Sequence, residues 1–295
     1  MDVLRLDLID QSISGNKWFK LKYNLQKAKE QGVEKLITFG GAHSNHIASA
    51  AGAAKRGDFK IVGVIRGEDN AALTPTLKSA EQNGMQLHFV SRELYAQKNE
   101  PSFKEYLNEQ FGTHYLIPEG GNNTMGATGC MEIIQPDWKY DYIFCACGTA
   151  TTFAGLVAGS QNKTKVVGLS VLRGENTLIH DVQKLVQEIR PEKKPVITGN
   201  EAIQESLIDN HVISNAYCFS GYARYDEALI KFKTEFEKKF QIPLDYIYTA
   251  KLAYGVNDLM ESKKLKPGSR ILMIHSGGLQ GNEAFEKRYQ LKLSR

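Results

Sequence analysis

The chain has 295 residues, of which 42% are hydrophobic, and its 37 basic and 33 acidic residues give a formal net charge of +4. This length allows two domains or one large α/β unit, while the charges form no basic block with interleaved aromatic residues of the kind that binds nucleic acids. The apolar runs fall short of the roughly twenty residues that a membrane span requires, and the acidic start MDVLRLDLID is unlike a signal peptide. We expect a cytoplasmic globular protein whose small positive excess serves an anionic cofactor or substrate.

Apolar runs along the chain predict strands, and periodic apolar patterns predict helices between most of them. The predicted strands are 35–39, 60–66, 86–90, 114–117, 142–147, 165–172 and 270–275. The predicted helices are 18–32, 44–56, 76–83, 102–111, 152–159, 179–189 and 225–240. Because strands and helices alternate and the strands are largely apolar, we expect parallel sheets that are covered by helices on both faces.

Four loops that follow predicted strands are rich in glycine and polar residues. They are 40–46 (GGAHSNH), 118–129 (PEGGNNTMGATG), 147–155 (CGTATTFAG) and 275–281 (HSGGLQG). Ligands of parallel α/β sheets bind beyond the carboxyl ends of the strands. The chemistry of the protein is therefore expected in these loops.

The cysteines and histidines predict neither a disulfide framework nor a metal site. The four cysteines are few and irregularly spaced, and Cys145 and Cys147 lie in an apolar predicted strand, so we interpret them as buried thiols. The chain has no His-x3-His or Cys-x2-Cys pair at metal-binding spacing. For His43 and His46, which are three residues apart, substrate contact or helix capping is favoured over metal ligation.

Lys17 lies where a predicted turn meets a predicted helix. Gly15 and Asn16 suit the turn, and the dipole of the helix disfavours a cation at its start, which lowers the pKa of Lys17. A neutral amine is what a Schiff base with a carbonyl compound requires. Taken alone, a lysine in such a position is more often a solvated charge.

Two further helix starts offer backbone N–H groups to an anion. The loop 40–46 leads into a helix capped by Ser44, which suits a carboxylate or a phosphate. The turn 148–152 (GTATT) is either a phosphate site or an ordinary turn with a threonine cap. Because it has neither the Lys-Ser/Thr ending of a nucleoside-triphosphate loop nor the glycine spacing of a dinucleotide turn, a small phosphorylated cofactor fits it better.

Six motifs, taken together and in order, resemble the family of 1-aminocyclopropane-1-carboxylate deaminases and D-cysteine desulfhydrases. They are GNKWFKL, GGAHSNH, PEGGNNTMGATG, the loop 148–155, YTAK at 248–251 and HSGGL. The resemblance covers nearly the whole chain. It implies a pyridoxal phosphate enzyme of fold type II, the fold of the tryptophan synthase β subunit, with two α/β domains that each contain a mainly parallel twisted sheet flanked by helices.

The resemblance also implies the domain organisation and the assembly. Residues 1–34 and 131–295 are expected to form a larger domain that binds pyridoxal 5'-phosphate, and residues 35–130 a smaller domain. The cofactor would lie between the two, in a cleft that closes over the substrate. The expected assembly is a homodimer, and the expected substrate is a small amino acid.

Individual site residues follow from the motif matches. Lys17 would hold the cofactor as a Schiff base and remove the α-proton of the substrate. Ser44 would lie near the substrate carbon and carboxylate, and Asn45 beside the phenolic oxygen of the cofactor. His46 would contact the substrate, and His43 is expected to shape the choice of substrate.

The phosphate loop and two tyrosines complete the expected site. The residues expected at the phosphate are Gly148, Thr149, Ala150, Thr151 and Thr152. The family's loop usually reads Gly-Ser-Gly-Gly-Thr, so two glycines are replaced by residues with side chains, which leaves the backbone path open. The two active-site tyrosines of the family match Tyr222 and Tyr248, which would orient the substrate.

Two positions separate the branches of this family. The deaminases have a glutamate after the second tyrosine, where it pairs with the pyridine nitrogen, and a leucine after the C-terminal histidine; here these positions are Thr249 and Ser276. A carboxylate keeps the pyridine protonated and strongly electron-withdrawing, whereas hydroxyls leave it largely neutral. Because β-elimination needs less carbanion stabilisation than ring opening, the resemblance favours a D-cysteine desulfhydrase, which produces pyruvate, ammonia and hydrogen sulfide.

Three alternatives stay open on sequence alone. The first is 1-aminocyclopropane-1-carboxylate deaminase, which is distinguished by its product 2-oxobutanoate. The second is a pyridoxal phosphate binding protein that has lost catalysis, because the phosphate loop is altered and only sixteen residues precede Lys17. The third is a dinucleotide-binding α/β protein, against which the missing glycine fingerprint counts.

Overall fold

The computed structural model describes residues 1–68, 73–161, 163–173, 176–199 and 211–291. The strands found there are β1 Asp2–Arg5, β2 Lys35–Gly41, β3 Lys60–Arg66, β4 Met85–Val90, β5 Tyr115–Ile117, β6 Tyr142–Cys147, β7 Lys165–Ser170, β8 Ile197–Gly199, β9 His211–Ser214 and β10 Ile271–His275. Six strands form one sheet in the order β1-β10-β6-β7-β9-β8, and four form another in the order β4-β3-β2-β5. All neighbouring strands are parallel. The predicted α/β fold with parallel sheets is confirmed.

Helices connect the strands and cover both sheets. Over the same residues they are α1 Asn16–Glu30, α2 Asn45–Arg56, α3 Pro75–Gln82, α4 Arg92–Ala96, α5 Pro101–Phe111, α6 Thr124–Met131, α7 Ala150–Gly159, α8 Asn176–Ile189, α9 Glu227–Phe240, α10 Thr249–Glu261 and α11 Asn282–Tyr289. The seven predicted strands and the seven predicted helices are all present, with their ends shifted by a few residues. The sequence prediction missed β1, β8 and β9, and the helices α4, α6, α10 and α11.

The strand β6 illustrates why the apolar runs are continuous. Ile143, Cys145 and Cys147 point into a core formed with α6, α7 and α8. Phe144 and Ala146 point into a second core, formed with α9 and α10 on the other face. Successive side chains of a strand alternate between faces, so a strand that is buried on both faces must be apolar at every position.

The carboxyl ends of strands from both sheets carry the glycine-rich loops. The loop after β2 leads into α2, the loop after β5 into α6, and the loop after β6 into α7. The loop after β10 lies against the start of α1, as described below. None of the helices in the described part of the chain combines the length and apolarity that a membrane crossing needs.

Candidate active site

The start of α1 is fixed against the loop that follows β10. Gly15 precedes α1 with a φ of 69°, in the left-handed region that favours glycine. A Cβ at this position would lie 1.9 Å from the Ser276 carbonyl oxygen, and the Asn16 backbone N–H donates to that oxygen at 3.2 Å. The Gly-Asn-Lys motif and the HSGG motif therefore meet backbone to backbone.

Lys17, the second residue of α1, is connected through Asn16 to the start of α7. The Lys17 amine donates to the Asn16 side-chain oxygen at 2.8 Å, and the Asn16 side-chain amide donates to the Thr152 hydroxyl at 2.8 Å. Burial, followed by the charge of Lys20, lowers the pKa of Lys17 to about 7. The sequence prediction of a lowered pKa agrees with this value, but burial is its largest cause rather than the helix dipole.

The turn 148–152 forms a regular helix start. Thr149 is the N-cap of α7 with extended backbone angles (φ −129°, ψ 162°), and its conformation does not require glycine. The two replaced glycines correspond to Ala150 and Thr151, the first two residues of α7, and neither has a positive φ. The replacement of the family's glycines is therefore compatible with this path. The first-turn amides of α7 have no intrahelical acceptor, so they are available to an anion.

Lys20 adds a positive charge at this turn. Its amine lies 3.2 Å from the Thr149 hydroxyl and donates to the Gly120 carbonyl at 3.2 Å. The Lys20 side chain is buried, and burial lowers its pKa. Lys17 and Lys20 are three residues apart on α1, so one helix face presents both amines toward the start of α7.

The start of α2 combines a serine cap with a buried neutral histidine. Ser44 is the N-cap, and its side chain accepts from the Ile47 N–H at 3.4 Å. His46 Nε2 lies 2.8 Å from the Thr38 hydroxyl, which itself donates to the Ile117 carbonyl. Nε2 must therefore be the donor, and Nδ1 is an acceptor with no partner among the described residues.

The environment of His46 keeps its ring neutral. The side chain is 3% exposed, and burial, with the charges of Lys17 and Lys20, lowers its pKa to about 3. His43, in contrast, is exposed. Desolvation and the nearby charge of Arg288 lower the pKa of His43.

Asn45 and His43 line a cavity together with residues from the C-terminal half of the chain. The other lining residues include Tyr222, Asp245 and Arg288. The Asn45 side-chain oxygen is buried without a partner in the described residues. The cavity therefore opens beside the start of α2 and continues along α11.

The two predicted tyrosines lie together. The ring centroids of Tyr222 and Tyr248 are 6.2 Å apart in an edge-to-face arrangement. A Cβ on Gly148 would lie 2.9 Å from the Tyr248 ring, so only glycine leaves room for that ring at the turn 148–152. Burial and the neighbouring Tyr222 raise the pKa of Tyr248.

Thr249 is held by Asp245, a residue that the sequence prediction did not single out. The Thr249 hydroxyl donates to Asp245 Oδ1 at 2.8 Å and accepts from the Asp245 N–H at 2.7 Å. The Asp245 carboxylate also accepts the backbone N–H groups of Ile247, Tyr248 and Thr249. The carboxylate thus fixes the start of α10, and with it Tyr248.

Contacts join the helix starts of α1, α7 and α10, and the cavity brings residues at the start of α2 together with Tyr222 and Asp245. Sequence reasoning gave no role to Lys20 or Asp245, and it placed Asn16 in the turn before the helix, whereas Asn16 is the first residue of α1. Lys20 carries a signal in its spacing of three residues from Lys17. Asp245 carries no comparable signal, because its role depends on how the chain turns before α10.

Comparisons with known proteins show the family of this chain. The family model described as pyridoxal-phosphate dependent enzyme matches residues 5–277. A mitochondrial bifunctional D-cysteine desulfhydrase/1-aminocyclopropane-1-carboxylate deaminase from Arabidopsis thaliana is 28% identical over 302 residues, which cover 95% of this chain and 72% of that protein.

Solved structures show the same fold. The structure of an ACC deaminase homologue is similar with a TM-score of 0.82 at 27% identity, covering 98% of this chain and 88% of that chain. A hydrogen sulfide-producing enzyme from Fusobacterium nucleatum has a TM-score of 0.59 at 12% identity, covering 95% of this chain and 90% of that chain, and indicates the fold alone. The chain therefore belongs to the pyridoxal-phosphate dependent enzymes, with relatives among the 1-aminocyclopropane-1-carboxylate deaminases and D-cysteine desulfhydrases, and its cofactor is pyridoxal phosphate.

Proposed function

We propose that this enzyme eliminates the β-substituent of a small amino acid, with D-cysteine as the substrate and pyruvate, ammonia and hydrogen sulfide as the products. The observation that carries the choice is the pair Thr249 and Ser276. The resemblance places a carboxylate and an apolar side chain at these positions in the deaminase branch. Hydroxyls there favour a neutral pyridine, which suits β-elimination.

The fit of pyridoxal phosphate to these residues is supported by the groups left without partners. The start of α7 at 148–152 offers amides to the phosphate, and the Lys20 ammonium beside it offers a charge. The partnerless oxygen of the Asn45 side chain belongs to an amide that is able to turn its NH₂ group toward the phenolic oxygen. The Lys17 amine is available for the covalent link to the cofactor.

When bound, pyridoxal phosphate withdraws electrons from the substrate's α-carbon and so makes its proton acidic. Lys17 removes that proton, and a pKa of about 7 leaves much of its amine neutral and basic at neutral pH. Asn16 orients the amine through its side-chain oxygen. Two hydrogen bonds therefore connect the Lys17 amine, through the Asn16 side chain, to Thr152 in the turn 148–152 that is proposed to bind the phosphate.

The substrate carboxylate binds at the start of α2. Ser44 and Asn45 contribute hydrogen bonds, and the helix dipole contributes a favourable field. His46 stays neutral and keeps the strand β2 and the helix start in register through Thr38. His43 lies at the mouth of the cavity, where it contacts the substrate as it enters.

The hydroxyls of Ser276 and Thr249 have different roles at the pyridine nitrogen. The Thr249 hydroxyl donates its hydrogen to Asp245, so it is able only to accept a further hydrogen bond. A neutral pyridine nitrogen is an acceptor, so the donor it needs is Ser276. Tyr222 and Tyr248, whose rings are in contact, would orient the amino acid. Ser44 is available as an acid, a base or a nucleophile.

The second candidate activity, deamination of 1-aminocyclopropane-1-carboxylate, is favoured by one observation. The Arabidopsis relative is named for both activities and shares 28% of its residues over the aligned region. The assay therefore measures pyruvate and sulfide from D-cysteine and L-cysteine, and 2-oxobutanoate from the cyclopropane substrate. We expect the highest kcat/KM with D-cysteine. A higher value with the cyclopropane substrate would contradict the proposal, and a cofactor-loaded protein without turnover would favour the non-catalytic alternative.

The double substitution Thr249→Glu with Ser276→Leu tests the argument from the pyridine nitrogen. A carboxylate at position 249 is expected to hold the ring protonated, and ring opening gains more from this stronger electron sink than elimination does. We therefore expect the ratio of kcat/KM for D-cysteine to kcat/KM for the cyclopropane substrate to fall by at least about tenfold. The single substitution Ser276→Leu controls for loss of the donor alone. An unchanged ratio between the two substrates in the double variant would contradict the assignment.

The family resemblance also supports a cytoplasmic homodimer, which we propose as the working state. Analytical ultracentrifugation of the cofactor-loaded protein measures its mass directly against the 33.0 kDa of one chain. A mass of one chain at micromolar concentration would contradict the dimer.

A further inference from the structure

We propose that Lys251 is a positioning residue that fixes the Tyr222 loop, residues 215–226, in the conformation that presents Tyr222 to Tyr248. The inference rests on the proposed function, because Tyr222 is taken to orient the substrate. Lys251 belongs to the YTAK motif, in which the proposed function uses only the tyrosine and the threonine.

The Lys251 ammonium lies inside the protein and has the loop's backbone as its partner. The side chain is 1% exposed. Its amine donates to the carbonyl oxygens of Cys218 and Gly221, each at 2.8 Å. Hydrogen bonds from a charged donor are stronger than those between neutral groups, so these two contacts bind the loop firmly to α10.

The two carbonyls belong to consecutive turns. The Gly221 N–H donates to the Cys218 carbonyl at 3.0 Å, and the Arg224 N–H donates to the Gly221 carbonyl at 3.1 Å. Lys251 therefore binds the first carbonyl of each turn and joins the turns to each other. Tyr222 lies within the second turn, directly after the residue whose carbonyl Lys251 holds.

The conformation that Lys251 holds is unfavourable for the residues that adopt it. Phe219, Ser220 and Ala223 have φ values of 50°, 67° and 54°. This left-handed region is costly for residues with a Cβ, and such conformations persist only where the surroundings impose them. The loop is therefore expected to relax when the ammonium is removed.

One rigid element controls both tyrosines. Lys251 lies three residues after Tyr248, so its side chain projects from the first turn of the helix that Tyr248 caps. The edge-to-face contact of Tyr222 with Tyr248 has a centroid distance of 6.2 Å. At the far end of the loop, the Tyr289 hydroxyl donates to the Ala223 carbonyl at 3.2 Å. Tyr217 and Phe219 also connect the loop to α10, through Asp258 and Tyr254. Lys251 is the contact with α10 that lies directly beside Tyr222.

The test compares Lys251→Met with Lys193→Met in the cofactor-loaded enzyme. Methionine keeps much of the apolar stem and removes the donors. Lys193 is a matched control, because its amine also donates to two backbone carbonyls, those of Val157 and Ser160 at 2.6 Å each, at the other end of α7 from the phosphate turn. Lys251→Gln, which keeps a shorter donor, serves as a second variant if the methionine variant folds poorly.

The first readout is the loop itself and needs no turnover. Cys218 is the only partly exposed cysteine of the four, since Cys130, Cys145 and Cys147 are buried. We expect its rate of reaction with a thiol reagent, located by mass spectrometry, to rise at least about tenfold in Lys251→Met, as expected for the loss of two charged hydrogen bonds. Lys193→Met should react like the wild type. An unchanged rate for Cys218 in both Lys251 variants would overturn the inference.

The second readout separates positioning from stability. In Lys251→Met we expect KM for D-cysteine to rise about tenfold while the cofactor spectrum is unchanged, and we expect no such rise in Lys193→Met. In a Tyr222→Ala background the effect of Lys251→Met on KM should disappear, because the two residues act through one contact. An equal rise in KM with and without Tyr222 would overturn the inference. If the wild type turns over no amino acid, the proposed function fails, and the thiol reaction alone still decides the inference.

Discussion

At the scale of single residues, the reactivity of Lys17 depends on its protonation. The amine has a pKa of about 7, below the 10.5 of an ordinary lysine, so it becomes neutral as the pH rises through 7. We predict that the rate at which the cofactor-free protein takes up pyridoxal phosphate rises through pH 7 and levels off above it. Stopped-flow absorbance measures this rate, with Nα-acetyl-lysine as the control for the unperturbed amine. A rate that still rises steeply near pH 10 would contradict this.

His46 makes a second prediction at this scale. The pKa of His46 in the folded protein is about 3, below the ordinary value of 6.5. Between these two pH values the unfolded chain binds a proton at His46 and the folded protein does not. Stability is therefore lost as the pH falls below 6.5. Between pH 7 and pH 5 we expect His46 to account for about 2 kcal/mol of lost unfolding free energy.

Urea unfolding of the wild type and of His46→Gln at pH 7 and pH 5 measures the contribution of His46 to this loss of unfolding free energy. The variant should lose about 2 kcal/mol less than the wild type over the same interval. Equal losses in the two proteins would show that His46 does not resist protonation in the folded state.

The sequence predicted helix starts where the motif is local, and it missed residues whose contacts are with distant parts of the chain. Lys17, Ser44 and Asn45 lie at the starts of α1 and α2, and the glycines that precede these residues in the sequence indicate a turn before each helix. Asp245 gains its role from the turn into α10, and Asn16 from the Thr152 hydroxyl on a helix far along the chain. No local pattern encodes such contacts.

At the scale of elements, we propose that the start of α7 and the helix α1 bind the cofactor phosphate together. Lys20→Gln removes the ammonium beside Thr149. Since a hydrogen bond to a charged group contributes about 1.5–3 kcal/mol, we expect the Kd for pyridoxal phosphate to rise by roughly 10- to 100-fold. Fluorescence titration of the cofactor-free protein measures it.

Lys22→Gln is the matched control for this measurement. Lys22 lies on the same helix, is exposed and pairs with Glu132 at 2.7 Å. Because surface ion pairs contribute little, this variant should bind the cofactor as the wild type does. Equal Kd values for the Lys20 and Lys22 variants would contradict a phosphate role for Lys20.

The segment after β1 contacts the end of β10 through the buried carboxylate of Asp7. The Asp7 carboxylate, 2% exposed, accepts from Arg5 and lies 3.0 Å from His275 Nδ1. Burial raises the pKa of Asp7, but Arg5 and His275 lower it further, and the net result is well below the usual range. Ser276 follows His275 directly, so this pair supports the loop at the proposed pyridine site.

We predict that Asp7→Asn lowers the free energy of unfolding by about 3 kcal/mol, because Arg5 and His275 lose a buried charged partner. Asp10→Asn is the control, since Asp10 pairs with Arg56, whose side chain is 52% exposed, and such pairs contribute about 0–1 kcal/mol. Urea unfolding at pH 7 measures both. Similar losses in the two variants would contradict the buried role of Asp7.

Helices and strands with a clear apolar pattern were predicted from the sequence. Those that depend on packing against other elements were missed. The glycines of α6 weaken its helix signal, yet a Cβ at Gly129 would lie 1.9 Å from the Phe19 carbonyl oxygen. Glycine is therefore needed for α6 to approach α1. The strand β1 was missed because Asp2 and Arg5 interrupt its apolar run, and such polar positions are tolerated at the edge of a sheet.

At the scale of the whole molecule, alternating strands and helices predicted parallel sheets, but not the order of the strands. The order β1-β10-β6 brings the first and last strands of the chain together. That arrangement places the Gly-Asn-Lys motif beside the HSGG motif, 260 residues later. Pairings over such a distance leave no periodic signal in a single sequence.

We propose the domain division 1–34 with 131–295 and 35–130. All four strands of the smaller sheet lie between residues 35 and 117, which supports it. Two helices bridge the division: α6 contributes Ala127 to a core of the larger sheet, and α1 contributes Leu21 to a core of the smaller sheet. A closing motion is therefore expected to flex about α1 and α6.

The central claim, a pyridoxal phosphate enzyme whose cofactor is bound to Lys17, is tested most directly by borohydride reduction of the purified, dialysed protein. The account predicts a visible absorption band that reduction abolishes, and a pyridoxyl adduct that peptide mass spectrometry locates on Lys17. Lys17→Ala should carry no adduct and should not turn over D-cysteine. An adduct on Lys20 or elsewhere, or no band after added cofactor, would contradict the account.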